Sequence, residues 1–272
     1  MADCQPCLPS RRFNNNRRMN SERSLLPIFK KIQMATVYHF EPWLSDKATT
    51  FKGSLLWPTK QIGKLRSENL IRPVDTYPYF GRKWRHNTFY SLKPCRMANS
   101  HTEHQFGLID VLMAFLYRYK DFEIDIEYTP KLKDSKGIYR PDAIVKMKSL
   151  DGKEYHFLVE FERTRSAEAI YKEKLLKNEQ MRPFKEYGLS EHTKILYIFG
   201  HEWMNVFYRP MQYKDEPEAL RGIQAINKQF VLLAKKAKSL PDHKYRFLPY
   251  HQFTDLDKQI WTTPKGNRVS LI

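Results

Sequence analysis

Apolar residues along the chain recur with two different spacings, which predict helices in some segments and strands in others. Spacings of three and four residues predict helices near 25–32, 57–71, 103–119, 166–187 and 216–233, and a short one near 37–44. Alternating or continuous apolar runs predict strands near 71–74, 88–92, 122–128, 139–148, 155–162, 195–199 and 245–253. The second part of the chain therefore has the order α-β-β-β-α-β-α-β, which is typical of an α/β layer fold.

These elements form two groups, because the periodicity lapses between about residues 93 and 102. We therefore predict one domain at 21–95 and a second at 101–272. Residues 1–20 are rich in Asn, Pro and Arg and poor in apolar residues, so we expect a disordered basic tail there. An arm that lies on DNA phosphates is the functional alternative for this tail.

In the first domain, a helix with a basic exposed side precedes two strand-like runs around a turn rich in Tyr, Pro, Gly, Arg and Lys. This order, carried by TKQIGKLRSENLI and RKWRHNTFYSL, resembles a winged helix-turn-helix, whose helix enters the major groove of DNA while the wing grips the backbone. A helix and hairpin that serve only as a scaffold would show the same basic face. Under the winged-helix interpretation, the candidate phosphate contacts are Lys60, Lys64, Arg66, Arg82, Lys83 and Arg85.

The charge of the chain favours a polyanionic partner. The formal net charge is +17 and the isoelectric point is near 9.6, so nucleic acid is the first candidate and an anionic membrane surface the second. The sequence has no apolar run of the roughly 18 residues that a membrane span needs, and its 3 cysteines do not suggest a disulfide framework. We expect a cytoplasmic protein without a membrane partner. With 10 glycines and no Gly-rich phosphate loop, a nucleotide-driven motor is disfavoured.

Acidic residues occupy particular places on two successive strand-like runs. Asp142 precedes the run at 143–145, and Glu160 and Glu162 end the run that begins near 155. Asp142 and Glu160 are 18 residues apart, which is enough for one strand, a tight turn and the return strand, so both can reach the same point. Glu160 and Glu162 share one face of their strand. Carboxylates on rigid strands are typical ligands of Mg²⁺ or Mn²⁺, so the pattern predicts a divalent-metal site for phosphodiester chemistry.

The same residues resemble the PD-(D/E)xK nuclease superfamily. Pro141-Asp142 matches the PD, and Glu160-Phe161-Glu162 matches the (D/E)xK except that glutamate stands where lysine is expected. The resemblance implies a restriction-endonuclease-like α-β-β-β-α-β core and a catalytic set of Asp142, Glu160, Glu162 and a lysine from the following helix. Lys172, Lys174 and Lys177 lie on that predicted helix, and Lys174 is the preferred one because it follows the apolar Ile170 by four residues.

More narrowly, RPDA, LVEFERT and a helix with Lys174-Leu175, placed after a winged helix, resemble the replication-relaxation family of bacterial mobile elements. The resemblance covers roughly residues 50–200. It implies a DNA-binding protein of plasmid or integrated-element replication, associated with a plasmid or the nucleoid, with a nuclease-like domain. Three interpretations stay open: a Mg²⁺- or Mn²⁺-dependent deoxyribonuclease, a non-catalytic replication or mobilisation factor with a degenerate nuclease fold, and a nuclease subunit of a transposase or defence assembly.

Several charged residues near this pattern have two interpretations each. Arg163 and Arg165 either hold a scissile DNA phosphate or neutralise Glu160 and Glu162. More generally, acids at strand ends are commonly solvated or paired with arginine.

The helix predicted at 103–119 carries further candidates. Glu103 and Asp110 either add a metal ligand or are exposed helix acids. His101 and His104 are spaced three apart, as a metal site allows, but the ordinary interpretation of two histidines at a helix start is that they lie on the surface.

Overall fold

A computed structural model describes a large part of the chain. The described residues are 25–37, 39–40, 56–74, 89–93, 99–128, 130–134, 137–162, 167–176, 187–190, 192–200 and 217–272. They divide into two compact units, the first with residues 25–74 and 89–93 and the second with residues 99–272 of the described part. The tail at 1–20 lies outside the described residues.

The first unit contains two helices and a small antiparallel sheet. Helix α1 (Leu26–Ile32) is followed by β1 (Met34–Ala35), α2 (Leu56–Ser67), β2 (Arg72–Pro73) and β3 (Tyr90–Ser91). The strands lie in the order β1-β3-β2, with β3 antiparallel to both neighbours. Buried apolar side chains from both helices and the strand region form its core, namely Leu25, Phe29, Ile32, Ile62, Leu65, Ile71, Val74 and Phe89.

The second unit is organised around a seven-stranded mixed sheet. Its strands are β4 (Glu123–Tyr128), β7 (Ala143–Lys148), β8 (Glu154–Glu162), β9 (Lys194–Phe199), β10 (Tyr245–Pro249), β11 (Trp261–Thr262) and β12 (Arg268–Val269). They lie in the order β12-β11-β10-β9-β8-β7-β4. Strands β4, β7 and β8 form an antiparallel meander, whereas β8, β9 and β10 are parallel. A separate hairpin of β5 (Leu132–Asp134) and β6 (Gly137–Tyr139) lies between β4 and β7 in sequence.

Helices cover both faces of this sheet. Helix α3 (Asn99–Arg118) packs on one face, where the ring of Phe115 contacts that of Phe157 on β8. The other face packs against α4 (Ala167–Ala169), which continues as a π-helical turn (Ile170–Leu175), and against α5 (Pro217–Lys236). Ile170 and Leu175 are buried there together with Leu158 of β8, in the core of this face. The α/β class predicted from the sequence is confirmed.

Several predicted elements have different bounds in the structure. The run at 139–148 is not one strand, since Tyr139 ends β6 and β7 begins at Ala143. The run at 245–253 ends as a strand at Pro249 because a 3₁₀ turn follows (Tyr250–Asp255). Helix α2 ends at Ser67, and residue 187, the end of the helix predicted at 166–187, has 3₁₀ rather than α-helical geometry. Of the short helix predicted at 37–44, residues 37, 39 and 40 have 3₁₀ geometry and the others lie outside the described residues.

Candidate active site

The hairpin of β7 and β8 brings the predicted acids to one end of the sheet. Ala143 at the start of β7 pairs with Val159, and the backbone N–H of Asp142 donates to the Val159 carbonyl oxygen at 3.0 Å. Asp142 therefore lies beside the end of β8, where Glu160 and Glu162 project from the face that carries Leu158. Glu160 is fully buried, and Glu162 is only 6% exposed.

Lys174 reaches both glutamates from the π-helical turn. Its Nζ lies 2.6 Å from Oε2 of Glu160 and also pairs with Oε1 of Glu162. In an α-helix, side chains five residues apart point in different directions, because each residue advances by about 100°. The turn has bonds of the i→i+5 type, including the one from the Leu176 N–H to the Tyr171 oxygen. Ile170 and Leu175 can therefore both face the sheet, and Lys174 lies beside them.

Asp142 has a partner at each carboxylate oxygen. The backbone N–H of Phe161 donates to Oδ2 at 2.7 Å, and Nε2 of His104 lies 3.1 Å from Oδ1. His104 comes from α3, whose position is set by the close approach of Gly107 to the Phe161 ring. A Cβ at residue 107 would overlap that ring, so only glycine allows the helix to lie so near the end of β8.

Glu160 also receives a hydrogen bond from Tyr139, whose hydroxyl donates to Oε1 at 2.5 Å. Full burial raises the pKa of Glu160 to about 7, and repulsion by Asp142 acts in the same direction against the attraction of Lys174. Burial and the neighbouring Glu160 carboxylate also raise the pKa of the Tyr139 hydroxyl, which keeps it protonated as a donor. One carboxylate of the cluster thus exchanges its proton near neutral pH.

The charged neighbours shift the other pKa values of the cluster. Burial opposes the charge on Lys174, but the nearby carboxylates, Glu160 first among them, outweigh burial and raise its pKa. Burial likewise opposes ionisation of Asp142, but the hydrogen bond and charge of His104 lower the pKa of the carboxyl overall. In return, burial opposes the charge on His104, but the hydrogen bond to Asp142 and the charges of Asp142 and Glu162 together outweigh burial and raise the pKa of the imidazole. Each pairing therefore favours the ionised form of its members.

The donor chemistry of the cluster fits a divalent cation. Three carboxylates, those of Asp142, Glu160 and Glu162, are grouped around the single ammonium of Lys174. Their excess negative charge and hard oxygen donors are what Mg²⁺ or Mn²⁺ requires. In the described part of the chain, however, no three His, Cys, Asp or Glu side chains already converge as a ligand group. The ammonium of Lys174 lies between the two glutamates instead.

The structure assembles one group of the residues that we selected from the sequence. Asp142, Glu160, Glu162 and Lys174 lie together. Lys60, Lys64 and Arg66 are exposed on α2 of the other unit; Lys64 pairs with Glu68 at 3.9 Å, and Arg66 lies over the Tyr90 ring. Lys172 pairs with Glu168 at 2.9 Å. Outside the described residues lie Arg82, Lys83, Arg85, Arg163, Arg165 and Lys177, together with the side chains of His101 and Glu103.

Three residues change the first interpretation of the site and its helix. Asp110 is fully buried and accepts a hydrogen bond from the Tyr250 hydroxyl, so it is not an exposed helix acid. The ordinary interpretation places His104 on the surface, but it contacts Asp142. Tyr139 is not among the sequence candidates, because nothing in a local pattern shows that a tyrosine three residues before Asp142 will reach Glu160. Its position in YRPD, close to the acid in sequence, is the one signal that could have drawn attention to it.

Comparison with known proteins adds no relative from which to transfer a role. No protein-family model, curated protein or solved structure matches the chain. None of the helices in the described ranges is long and apolar enough to cross a membrane.

Proposed function

We propose that this protein is a DNA-binding, Mg²⁺- or Mn²⁺-dependent endonuclease whose second unit hydrolyses phosphodiester bonds. The observation that carries the proposal is the position of Lys174. Its ammonium contacts both Glu160 and Glu162. The (D/E)xK pattern would place a lysine ammonium beside the acids from residue 162. In this proposal a lysine of the neighbouring helix replaces the lysine that the (D/E)xK pattern has at the position of Glu162.

The order and directions of the elements also support a nuclease-like unit. Helix α3 precedes the antiparallel meander of β4, β7 and β8, and α4 then leads to β9, which is parallel to β8. This is the α-β-β-β-α-β order that the resemblance to the PD-(D/E)xK superfamily implies. The hairpin of β5 and β6 is an insertion in it that supplies Tyr139.

The residues of the cluster have separate roles in this proposal. Asp142, Glu160 and Glu162 would hold the cation, which supplies Lewis-acid activation of the phosphate and an acidified water. Tyr139 fixes the orientation of the Glu160 carboxylate through its hydrogen bond. Lys174 offsets the charge of the buried acids and, 22% exposed, can stabilise negative charge that develops on the phosphate.

Cleavage with matched carboxylate variants tests the enzyme. We expect Asp142→Asn and Glu160→Gln to abolish Mn²⁺-dependent cleavage of plasmid, linear and single-stranded DNA while DNA affinity is retained. Asp151→Asn is the control, because Asp151 is an exposed acid in the turn of the same hairpin, where it pairs with Lys153 at 2.9 Å. Wild-type protein that leaves all three DNA forms intact with Mn²⁺ would refute the enzymatic proposal.

The first unit is proposed to bind DNA as a winged helix. Its order of α1, β1, α2, β2 and β3, with β3 between the other two strands, supports this assignment. Glutamine at Lys60, Lys64 or Arg66 should weaken binding to all DNA sequences and reduce the slope of log K against log salt by about 0.9 for each phosphate that is no longer neutralised. Lys30→Gln, at an exposed lysine of α1, is the control. Unchanged slopes for all three variants would argue against this surface.

A non-catalytic replication or mobilisation factor is the second candidate. It is favoured by one observation: both oxygens of Asp142 already have protein partners, and Lys174 lies between the glutamates. In that case Asp142→Asn changes neither DNA binding nor replication of the mobile element. A related proposal is a nuclease subunit that acts only with a transposition or defence protein, for which cleavage would appear only after that partner is added.

A further inference from the structure

His104, Asp142 and Phe161 form a closed set of contacts at the end of β8. His104 Nε2 lies 3.1 Å from Oδ1 of Asp142, and the Phe161 N–H donates to Oδ2 at 2.7 Å. The His104 ring also packs edge-on against the Phe161 ring, with centroids 5.6 Å apart and planes at 73°. Because an ionised carboxylate only accepts hydrogen bonds, Nε2 is the protonated nitrogen.

These contacts hold the side chain of Asp142, whose orientation the pairing of β7 with β8 does not determine. Asp142 precedes the first residue of β7, so its backbone is outside the regular pairing of β7 with β8 apart from the bond to Val159. Its carboxylate can rotate about the bond to Cβ, a broad and soft torsion. The Phe161 N–H holds one oxygen, but two points are needed to define the plane of the group. The imidazole of His104 provides the second point.

Helix α3 can provide this point because Gly107, one turn after His104, lies directly against the Phe161 ring. The helix, the imidazole and the strand end are thus positioned by one another. The side chain of His104 is 27% exposed.

We propose that His104 is a positioning residue, whose Nε2–H sets the plane of the Asp142 carboxylate so that its remaining lone pairs face the divalent cation. This inference rests on the proposed metal-dependent function and adds a residue to it. Hydrogen bonds to metal-binding carboxylates commonly matter in this way, and removing such a partner costs about 10- to 100-fold in metal affinity.

Two amides of similar polarity separate this role from a general effect on folding. The side-chain NH₂ of glutamine reaches the place of Nε2, whereas that of the shorter asparagine reaches only that of Nδ1. We expect His104→Gln to bind Mn²⁺ nearly as the wild type does in calorimetric titration of the full chain. His104→Asn and His104→Ala should bind it about 10- to 100-fold more weakly.

His156→Ala is the matched control, because His156 is a mostly buried histidine of β8, the strand that carries Phe161, and its Nδ1 accepts a hydrogen bond from the Ser190 N–H. It should lower stability without changing the dissociation constant for Mn²⁺. Equal Mn²⁺ affinity of the wild type, His104→Asn and His104→Ala would overturn the positioning role and leave the proposed metal site standing. A wild-type chain that does not bind Mn²⁺ would overturn both.

Nitrogen-15 spectra of the wild-type imidazole give a readout without metal. We expect the Nε2–H tautomer of His104 where the ring is neutral, and loss of this preference in Asp142→Asn. A ring with the proton on Nδ1 would contradict the proposal.

Discussion

Glu160 should make the second unit less stable as the pH rises. The pKa of its carboxyl is about 7 in the folded protein, against an ordinary value of 4.5. Between these values the folded state retains a proton that the unfolded chain has released, so the free energy of unfolding falls as the pH increases. One pKa unit corresponds to about 1.36 kcal/mol, so the full change for this group is about 3 kcal/mol.

Glu160→Gln isolates this contribution, because glutamine has a similar shape and does not titrate. We expect the free energy of unfolding of the variant, relative to the wild type, to increase by about 3 kcal/mol from about pH 4 to about pH 8. Urea denaturation across this range measures the difference through the midpoint, provided that the m-value is unchanged. Asp151→Asn should show no such increase, since hydrogen bonds from Ser149 and Lys153 lower the pKa of Asp151 to about 2. Parallel stability curves for wild type and Glu160→Gln would refute the reasoning.

Three further substitutions test the packing and charge balance of the same unit. Lys174→Met should destabilise the protein by about 3–5 kcal/mol at pH 7 in urea denaturation, because two buried carboxylates lose their ammonium; the loss should be smaller at pH 5. Gly107→Ala should cost about 1–3 kcal/mol despite the better helix propensity of alanine, since its Cβ overlaps the Phe161 ring; an unchanged thermal midpoint would contradict that close approach. Leu150→Ser should change stability by less than about 0.5 kcal/mol, because Leu150 is 93% exposed.

The spacing of apolar residues predicts those strands and helices whose bounds depend on residues close together in the sequence. Strands β8 and β9 are long apolar runs, and the predicted bounds of both lie within one residue of the observed ones. The helical spacing from Ile170 to Lys174 places the lysine on the side of the sheet. The strands β11 and β12 are not predicted, because two residues are too few to show an alternation of apolar and polar positions.

The remaining parts of the site depend on contacts between distant segments. The hydrogen bond from Tyr139 to Glu160 spans 21 residues. The apolar pattern predicts one strand at 139–148, so it does not distinguish Tyr139, in the hairpin of β5 and β6, from β7. The pairing of His104 with Asp142 depends on how closely α3 approaches the sheet, which Gly107 decides. The π-helical turn is also not predicted, since spacings of three and four residues cannot distinguish it from an ordinary helix.

The central place of β8 determines which parts of the site can move. Strand β8 pairs with β7 over residues 154–159 and with β9 over residues 157–162. Its amide protons should therefore exchange with solvent among the slowest in the unit, and only when the whole sheet opens. Glu160 and Glu162 lie on the part of this strand that pairs with β9, so their backbone should move less than the side chains that the helices contribute to the site. Under the proposed function, an ion or a DNA strand would enter by displacement of side chains on the helices, with Lys174 on one side of the sheet and His104 on the other.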